Sequence, residues 1–255
     1  MFQELFNLTG KTALVTGASS GLGRAIAIAY AKSGAKVIAL GRSQQRLDEL
    51  TKESDQFLLK NIDITDKKAV KILMEDIESQ NIKIDILVNS AGIGKLSPVF
   101  EDENNQILEK TYEINVQALW NMTSIIAKHM KNHKIAGSII NIASINGENC
   151  LRPELAIYAS SKAAVIQMTK ALVGELSPYN IRINTISPGL FHTPLTDYKL
   201  SNAELKAQQA KIIPLGFVPD PMEIAGSALF LASNNASKYV TGSCVTIDGG
   251  NSWGG

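Results

Sequence analysis

Tyr158 and Lys162 stand four residues apart in Tyr158-Ala159-Ser160-Ser161-Lys162, near the start of an apolar, alanine-rich run from Ala156 to Leu176. A helix turns once every ~3.6 residues, so side chains four apart share a face. A free phenol titrates near about 10. An ammonium beside it favours the phenolate and lowers that value. Lys162 is therefore expected to tune Tyr158 into a group that gives and takes a proton near neutrality, as general acid–base catalysis requires. The same spacing also fits a solvated pair on any helix, so the elements around it must decide.

Those elements alternate. Lys11 to Thr16 is a short apolar run, Arg24 to Ser33 reads as a helix, and Lys36 to Leu40 is a second apolar run. Strand, glycine-rich turn, helix and strand make a βαβ unit, which crosses over right-handed and implies a parallel sheet. The pattern continues with a helix over Ser43 to Glu53, a strand over Gln56 to Asn61, a helix over Lys67 to Gln80 and a strand over Ile84 to Asn89. Glu103 to Asn132 is one long helix or two joined ones, followed by a strand over Ser138 to Ala143 and the Tyr158 helix. Arg182 to Ser187 is a sixth strand, Pro221 to Ala232 a helix and Ser243 to Asp248 a last strand. The sequence predicts one α/β domain over residues 1–255, a doubly wound, parallel, seven-stranded Rossmann fold. Residues 190–219 form a loop-rich lid with a short helix near Ala203 to Ile212.

The first turn, Thr16-Gly17-Ala18-Ser19-Ser20-Gly21-Leu22-Gly23, differs by one inserted residue from the dinucleotide fingerprint G-x-G-x-x-G. Glycines there let backbone approach a pyrophosphate, and the helix start supplies N–H donors. Ser19 and Ser20 add hydroxyls. A fold using NAD places an acid about twenty residues further on, against the ribose. Here the second strand ends Leu40-Gly41-Arg42-Ser43, with no carboxylate at or beside Gly41. A guanidinium suits a 2′-phosphate, so the expected cofactor is NADP(H). The alternative is a solvent-exposed Arg42 and an enzyme that also accepts NAD(H).

Composition narrows the partners. The chain has 255 residues, 45% of them hydrophobic, with 25 basic and 24 acidic side chains. This balance is no footprint for nucleic acid or an anionic membrane. No stretch is long and apolar enough to span a bilayer, and the start of the chain does not read as a signal peptide. Cys150 and Cys244 lack metal-ligand spacing, and so few cysteines fit a reducing compartment, which points to the cytoplasm.

From about Leu8 to Gly250 the chain resembles the single-domain branch of the short-chain dehydrogenase/reductase family. The resemblance is carried by the joint order of several elements: Thr16 to Gly23, Asn89-Ser90-Ala91-Gly92, Asn115 in Tyr112-Glu113-Ile114-Asn115-Val116, Ser144, Tyr158 with Lys162, Pro188-Gly189 with Thr193, and Asp248-Gly249-Gly250. It implies a catalytic set of Asn115, Ser144, Tyr158 and Lys162, with Asn115 holding a water that links Lys162 to solvent. It also implies adenine contacts at Asp63 and Ile64, nicotinamide contacts at Pro188, Gly189 and Thr193, further cofactor contacts at Asn89, Ala91 and Gly92, and a homotetramer.

Three departures stand out. Ser90 replaces an asparagine that braces the central sheet in the family. The gap from Ser144 to Tyr158 is one residue longer than the commonest spacing, which should reshape the substrate mouth. Gly174 stands where reductases of carrier-bound acyl groups tend to have a docking arginine.

The expected function is interconversion of a ketone and a secondary alcohol by hydride transfer, on a small sugar, polyol or keto-acid. A 3-oxoacyl-thioester reductase is the alternative, and a dinucleotide sensor without turnover belongs to a different class. His129 and His133 are four apart, but no third metal ligand is evident and lysines surround them, so a solvated helix face is expected and no metal. His192 either touches substrate or is an ordinary loop residue, and Cys150 has no histidine to make it a nucleophile. Glu148, Arg152 and Glu154 are expected to make the mouth polar, and Trp253 to pack at a subunit interface.

Overall fold

A computed structural model describes residues 4–100, 105–149 and 151–253. Seven strands form one parallel sheet in the order β3-β2-β1-β4-β5-β6-β7: β1 Thr12–Thr16, β2 Lys36–Gly41, β3 Phe57–Asn61, β4 Ile86–Asn89, β5 Ser138–Ile142, β6 Arg182–Pro188 and β7 Cys244–Ile247. The order reverses between β1 and β4, which opens a crevice at the carboxyl ends of those strands.

The sheet is covered on both faces, so its strands are apolar throughout rather than alternating. Successive side chains still point to opposite sides. Ala13, Val15, Val37 and Ala39 pack with Ile26 and Tyr30 of α1 (Gly21–Lys32) and with Ala228 and Leu231 of α9 (Ala225–Ala232). Leu14, Ile38, Leu40 and Leu87 pack on the other side with Leu73 and Ile77 of α3 (Lys67–Ser79) and Met122 and Ile126 of α5 (Leu119–Asn132).

Helix ends differ from the sequence expectation where local chemistry shifts them. α1 begins at Gly21, inside the glycine turn, because Ser20 takes the N-cap position. The run after β2 is a short α2 (Gln44–Asp48), capped by Ser43 accepting from the Arg46 N–H, and then a 3-10 turn Glu49–Lys52. The long helix before β5 is α4 (Gln106–Tyr112) joined to α5 through a π-helical stretch, Glu113–Ala118. Such stretches recur at functional sites because they re-aim one side chain; here it is Asn115. Glu103, part of that expected helix, lies outside the described residues. α6 is Ala156–Leu176, as the pattern predicts. The lid holds an additional α7 (Asp197–Leu200) before α8 (Ala203–Lys211).

Candidate active site

A cleft of about 450 Å³ lies along the carboxyl ends of the strands. One end is built by the glycine turn and β2. Gly17 has φ +70, and a Cβ there would sit 2.8 Å from the Ala91 backbone nitrogen, so only glycine fits. Thr16 fixes this approach: its Oγ1 accepts from the Ser90 and Ala91 N–H groups at 3.0 and 3.1 Å. Thr16 is itself fully buried and does not line the cleft, and its side chain positions the turn. Gly17, Ser19, Ser20, Gly21, Leu22, Gly23, Ala91 and Gly92 all face the cavity.

Arg42 follows β2 into this end and lies 3.8 Å from the Asp63 carboxylate, with Ile64 beside them. Burial pushes the Asp63 carboxyl up, but hydrogen bonds from Thr65 and the Arg42 charge outweigh it and hold the group below its ordinary value. Arg46 also lines the cleft. Sequence reading missed it; the signal was there, since the N-cap at Ser43 puts Arg46 one turn from Arg42.

The other end is built by β5, α6 and the lid. Ser144, Tyr158 and Lys162 share its wall with Pro188, Gly189 and Thr193. Asn146 donates to Ser144 Oγ twice, from its backbone N–H and its side-chain amide, both at 3.2 Å. That uses the oxygen's lone pairs and leaves the hydroxyl proton to donate. Lys162 donates to the Ile142 carbonyl at 2.8 Å, and its amine lies 5.9 Å from the Tyr158 ring centre. Burial pushes Lys162 down to about 8.

One expectation is corrected here. Tyr158 is raised rather than lowered, because burial disfavours the phenolate by more than Ser144 stabilises it. A 5.9 Å amine that is itself desolvated does not reverse that in the free protein.

Asn115, expected in the catalytic set, and Asn89, expected to contact the cofactor, lie behind the cleft. Asn115 is fully buried; its Oδ1 accepts from the Ile93 N–H, and its amide donates to the Ile93 carbonyl and Ser161 Oγ at 2.9 and 3.1 Å. It pins the β4–α4 loop to α6. Asn89 is buried at the end of β4 and donates to Thr123 Oγ1 and Asn141 Oδ1, both at 2.9 Å. Asn141 in turn donates to Thr169 on α6 at 2.9 Å. This chain ties β4, β5, α5 and α6 together, so the Asn89 side chain braces the sheet and does not face the cleft. Ser90, expected to stand in for a bracing residue, lines the cleft instead.

The remaining candidates separate clearly. His129 is buried, not solvated: its Nδ1 meets Glu78 at 2.7 Å and its Nε2 accepts from the Ile84 N–H at 3.1 Å. Glu78 and His133 complete a trio whose ligand atoms lie within 4.8 Å of one another, so a third potential ligand exists on α3. The Ile84 N–H fixes the proton on Nδ1. A metal at Nδ1 would need the opposite tautomer, with two hydrogens facing each other at Ile84, so the trio is a hydrogen-bonded clasp between α3 and α5. His192 pairs with Asp197 at 3.3 Å outside the cleft. Glu148 turns to Thr246 on β7, at 3.2 Å, and of the three charged mouth residues only Arg152 lines the cavity. Burial pushes the Cys244 thiol up to about 11, which makes it a poor nucleophile; Cys150 lies outside the described residues. Trp253 is exposed. Among the described residues no helix is long and apolar enough to cross a membrane.

A parallel doubly wound sheet, a glycine turn that only backbone can approach, and a tyrosine, serine and lysine on the opposite wall define a dinucleotide-dependent oxidoreductase of the Rossmann class. A family described as enoyl-(acyl carrier protein) reductase matches residues 17–252. A 3-oxoacyl-[acyl-carrier-protein] reductase of Thermotoga maritima is 38% identical over 255 residues, covering 95% of this chain and 98% of the relative. A 5-keto-D-gluconate 5-reductase of Escherichia coli is 34% identical, covering 97% of each. A gluconate 5-dehydrogenase of Burkholderia cenocepacia, solved with NADP and tartrate, superposes with a TM-score of 0.90 at 30% identity over 98% of both chains. The chain belongs to the short-chain dehydrogenase/reductase family. It is an NAD(P)(H)-dependent oxidoreductase acting on CH–OH and C=O groups.

Proposed function

We propose that this chain reduces a small polar ketone to a secondary alcohol with NADPH, and oxidises the alcohol when run in reverse, using Tyr158 as the proton donor and acceptor. The supporting observation is the shared wall of Ser144, Tyr158 and Lys162 at one end of a cleft whose other end presents Arg42 and Arg46. The cleft fits the cofactor: Gly17 lets backbone approach a pyrophosphate, and the two guanidiniums suit a 2′-phosphate. Bound NADPH would supply the hydride for the carbonyl carbon.

The residues do the rest. Ser144, with its oxygen held by Asn146, directs its O–H toward the carbonyl oxygen and stabilises charge growing there. Tyr158 gives that oxygen its proton. Its raised pKa keeps it protonated in the free protein, as a donor must be. Lys162 has one donor committed to Ile142 and two left for ribose hydroxyls. A bound substrate and cofactor displace water from the wall, which strengthens the Lys162 field on Tyr158. Asn115 holds the loop below, and a water between it and Lys162 completes a proton path to solvent. Asp63 and Ile64 would hold the adenine end of the cofactor, and Pro188, Gly189 and Thr193, which line the opposite end, its nicotinamide.

The thioester reading draws support from the Thermotoga relative. Against it, Gly174 presents no side chain at the place where a docking arginine would stand. A homotetramer in the cytoplasm completes the proposal; exposed Trp120 and Trp253 offer apolar surface for subunit contact, and native mass spectrometry tests the state directly. The function is tested by an NADPH- and NADH-consumption screen against ketoses, keto-acids and acetoacetyl thioesters. Consumption with a ketose or keto-acid is expected; cofactor binding with no consumption across the panel would replace the enzyme by a sensor.

A further inference from the structure

The chain as a whole is nearly neutral, with 25 basic and 24 acidic residues. Its cleft is not. Arg42, Arg46, Arg152, Lys162 and Lys199 line it, and Asp63 is the one acid among the described lining residues. Arg42, Arg46 and Asp63 belong to the end formed by β2 and β3, and Lys162 is committed to Ile142. That leaves Arg152 and Lys199 at the substrate end with no cofactor role.

Both are placed by the fold rather than by chance exposure. Arg152 sits in the connection between Ser144 and Tyr158, one residue longer than the resemblance leads one to expect. This connection is anchored where the Ser97 N–H donates to the Glu154 carbonyl at 2.6 Å and Ser97 Oγ donates to the same oxygen at 3.3 Å. Glu154 takes a left-handed φ of 62 to make that contact. Lys199 lies on α7, in the lid. The lid is seated on the site: a Cβ on Gly94 would meet the Tyr158 ring at 3.4 Å and Leu195 at 3.7 Å. Both cations are half-buried, and neither has an acidic partner among the described residues. Two partly desolvated cations on different elements of one cavity, Lys199 resting 5.4 Å from the Tyr198 ring centre and neither facing a carboxylate among the described residues, favour an anion in that end of the cleft. Glu148, the acid that sequence reading put in the mouth, is instead turned to Thr246 and leaves that charge unopposed.

We propose that Arg152 and Lys199 form an anion subsite that selects ketones carrying a carboxylate. The proposal rests on the ketone-reductase reading and narrows it to keto-acids. Arg152 offers a planar, bidentate fork and Lys199 a point charge, a combination that holds a carboxylate in one orientation. Fixing the far end of a short substrate in this way orients its carbonyl at Tyr158. Neutral sugars of the same length leave both cations unpaired.

The test compares 5-keto-D-gluconate with L-sorbose, which differ by a carboxylate in place of a hydroxymethyl group, and 4-oxopentanoate with 5-hydroxypentan-2-one. The ratio of kcat/KM, acid over neutral partner, is measured for the parent chain, R152Q, K199Q and R152K. Comparing ratios across variants cancels differences in ring opening and intrinsic reactivity within each pair. The acid-over-neutral ratio is expected to fall by about 10-fold in R152Q and in K199Q, and by less in R152K, in at least one pair. In the parent chain KM for the acid should rise with salt between about 20 and 300 mM while KM for the neutral partner stays flat. Turnover of neutral ketones with ratios that no variant moves overturns the subsite and leaves the reductase reading standing. No turnover of either member of either pair overturns both.

Discussion

The floor of the cleft and its mouth are built on different terms. On the floor, Ser144, Asn115 and Lys162 are all buried, and each is held by at least one named hydrogen bond: Ser144 by Asn146, Asn115 by Ile93 and Ser161, Lys162 by Ile142. At the mouth, Arg152 and Lys199 stand partly exposed without acidic partners among the described residues, and at the β2 end Arg42 is 65% exposed, 3.8 Å from the Asp63 carboxylate. The floor is preorganised, which is what charge stabilisation in a reaction requires. The mouth keeps its charges free, which is what recognition of different anions requires. One scaffold can thus keep its chemistry while its substrate changes with a few loop residues.

The sharpest way to break this comparison is on the floor. Tyr158→Phe keeps the ring and removes the proton donor, so kcat should fall by at least about 100-fold, while dissociation of NADPH, followed by fluorescence titration, changes far less. Near-wild-type kcat in purified protein would remove the assignment. Asn89→Ala tests whether the brace belongs to the fold and not to the cleft. Losing its two donors leaves Thr123 and Asn141 partly unpaired, and urea unfolding should show a loss of about 2 kcal/mol. KM for NADPH should move little; a rise larger than the stability loss implies would return Asn89 to the cofactor site.

At the β2 end, Arg42→Ala should raise KM for NADPH about 10-fold and leave KM for NADH near its starting value. The size is limited because the guanidinium is largely solvated. Equal changes for both cofactors would make Arg42 an ordinary surface arginine.

The last test uses pH. Burial holds Lys162 at about 8 in the folded, ligand-free chain, against about 10.4 for an unfolded lysine. Between these values the unfolded state binds more protons than the native one, so stability rises with pH across that window and the deficit is fully present below 8. The Lys162 contribution approaches ~1.4 kcal/mol per pH unit inside the window. Urea midpoints at pH 7.5 and 9.5 should therefore diverge in the parent chain and converge in Lys162→Met. Equal slopes in both proteins would mean that Lys162 is better solvated than its surroundings suggest.

Much of the molecule is legible in its sequence. The strand and helix order, the glycine turn and the Tyr158–Lys162 face follow from short-range periodicity and from glycine's freedom at Gly17, which are properties of neighbouring residues. What local pattern could not show was environment. His129 looked solvated among lysines, yet Ile84 and Glu78, 45 and 51 residues away, bury and bond it. Tyr158 was expected to be acidified by its neighbour four residues on, yet desolvation by the assembled walls dominates.

Sequence alone thus determined which groups are present, in what order and on which helix face, because those depend on the chain's own geometry. Only tertiary structure decided which are dry, which are paired and which charges share a cavity. Dielectric, hydrogen-bond partners and the sharing of one cavity by Arg152 and Lys199 are set by residues that the chain brings together from far apart.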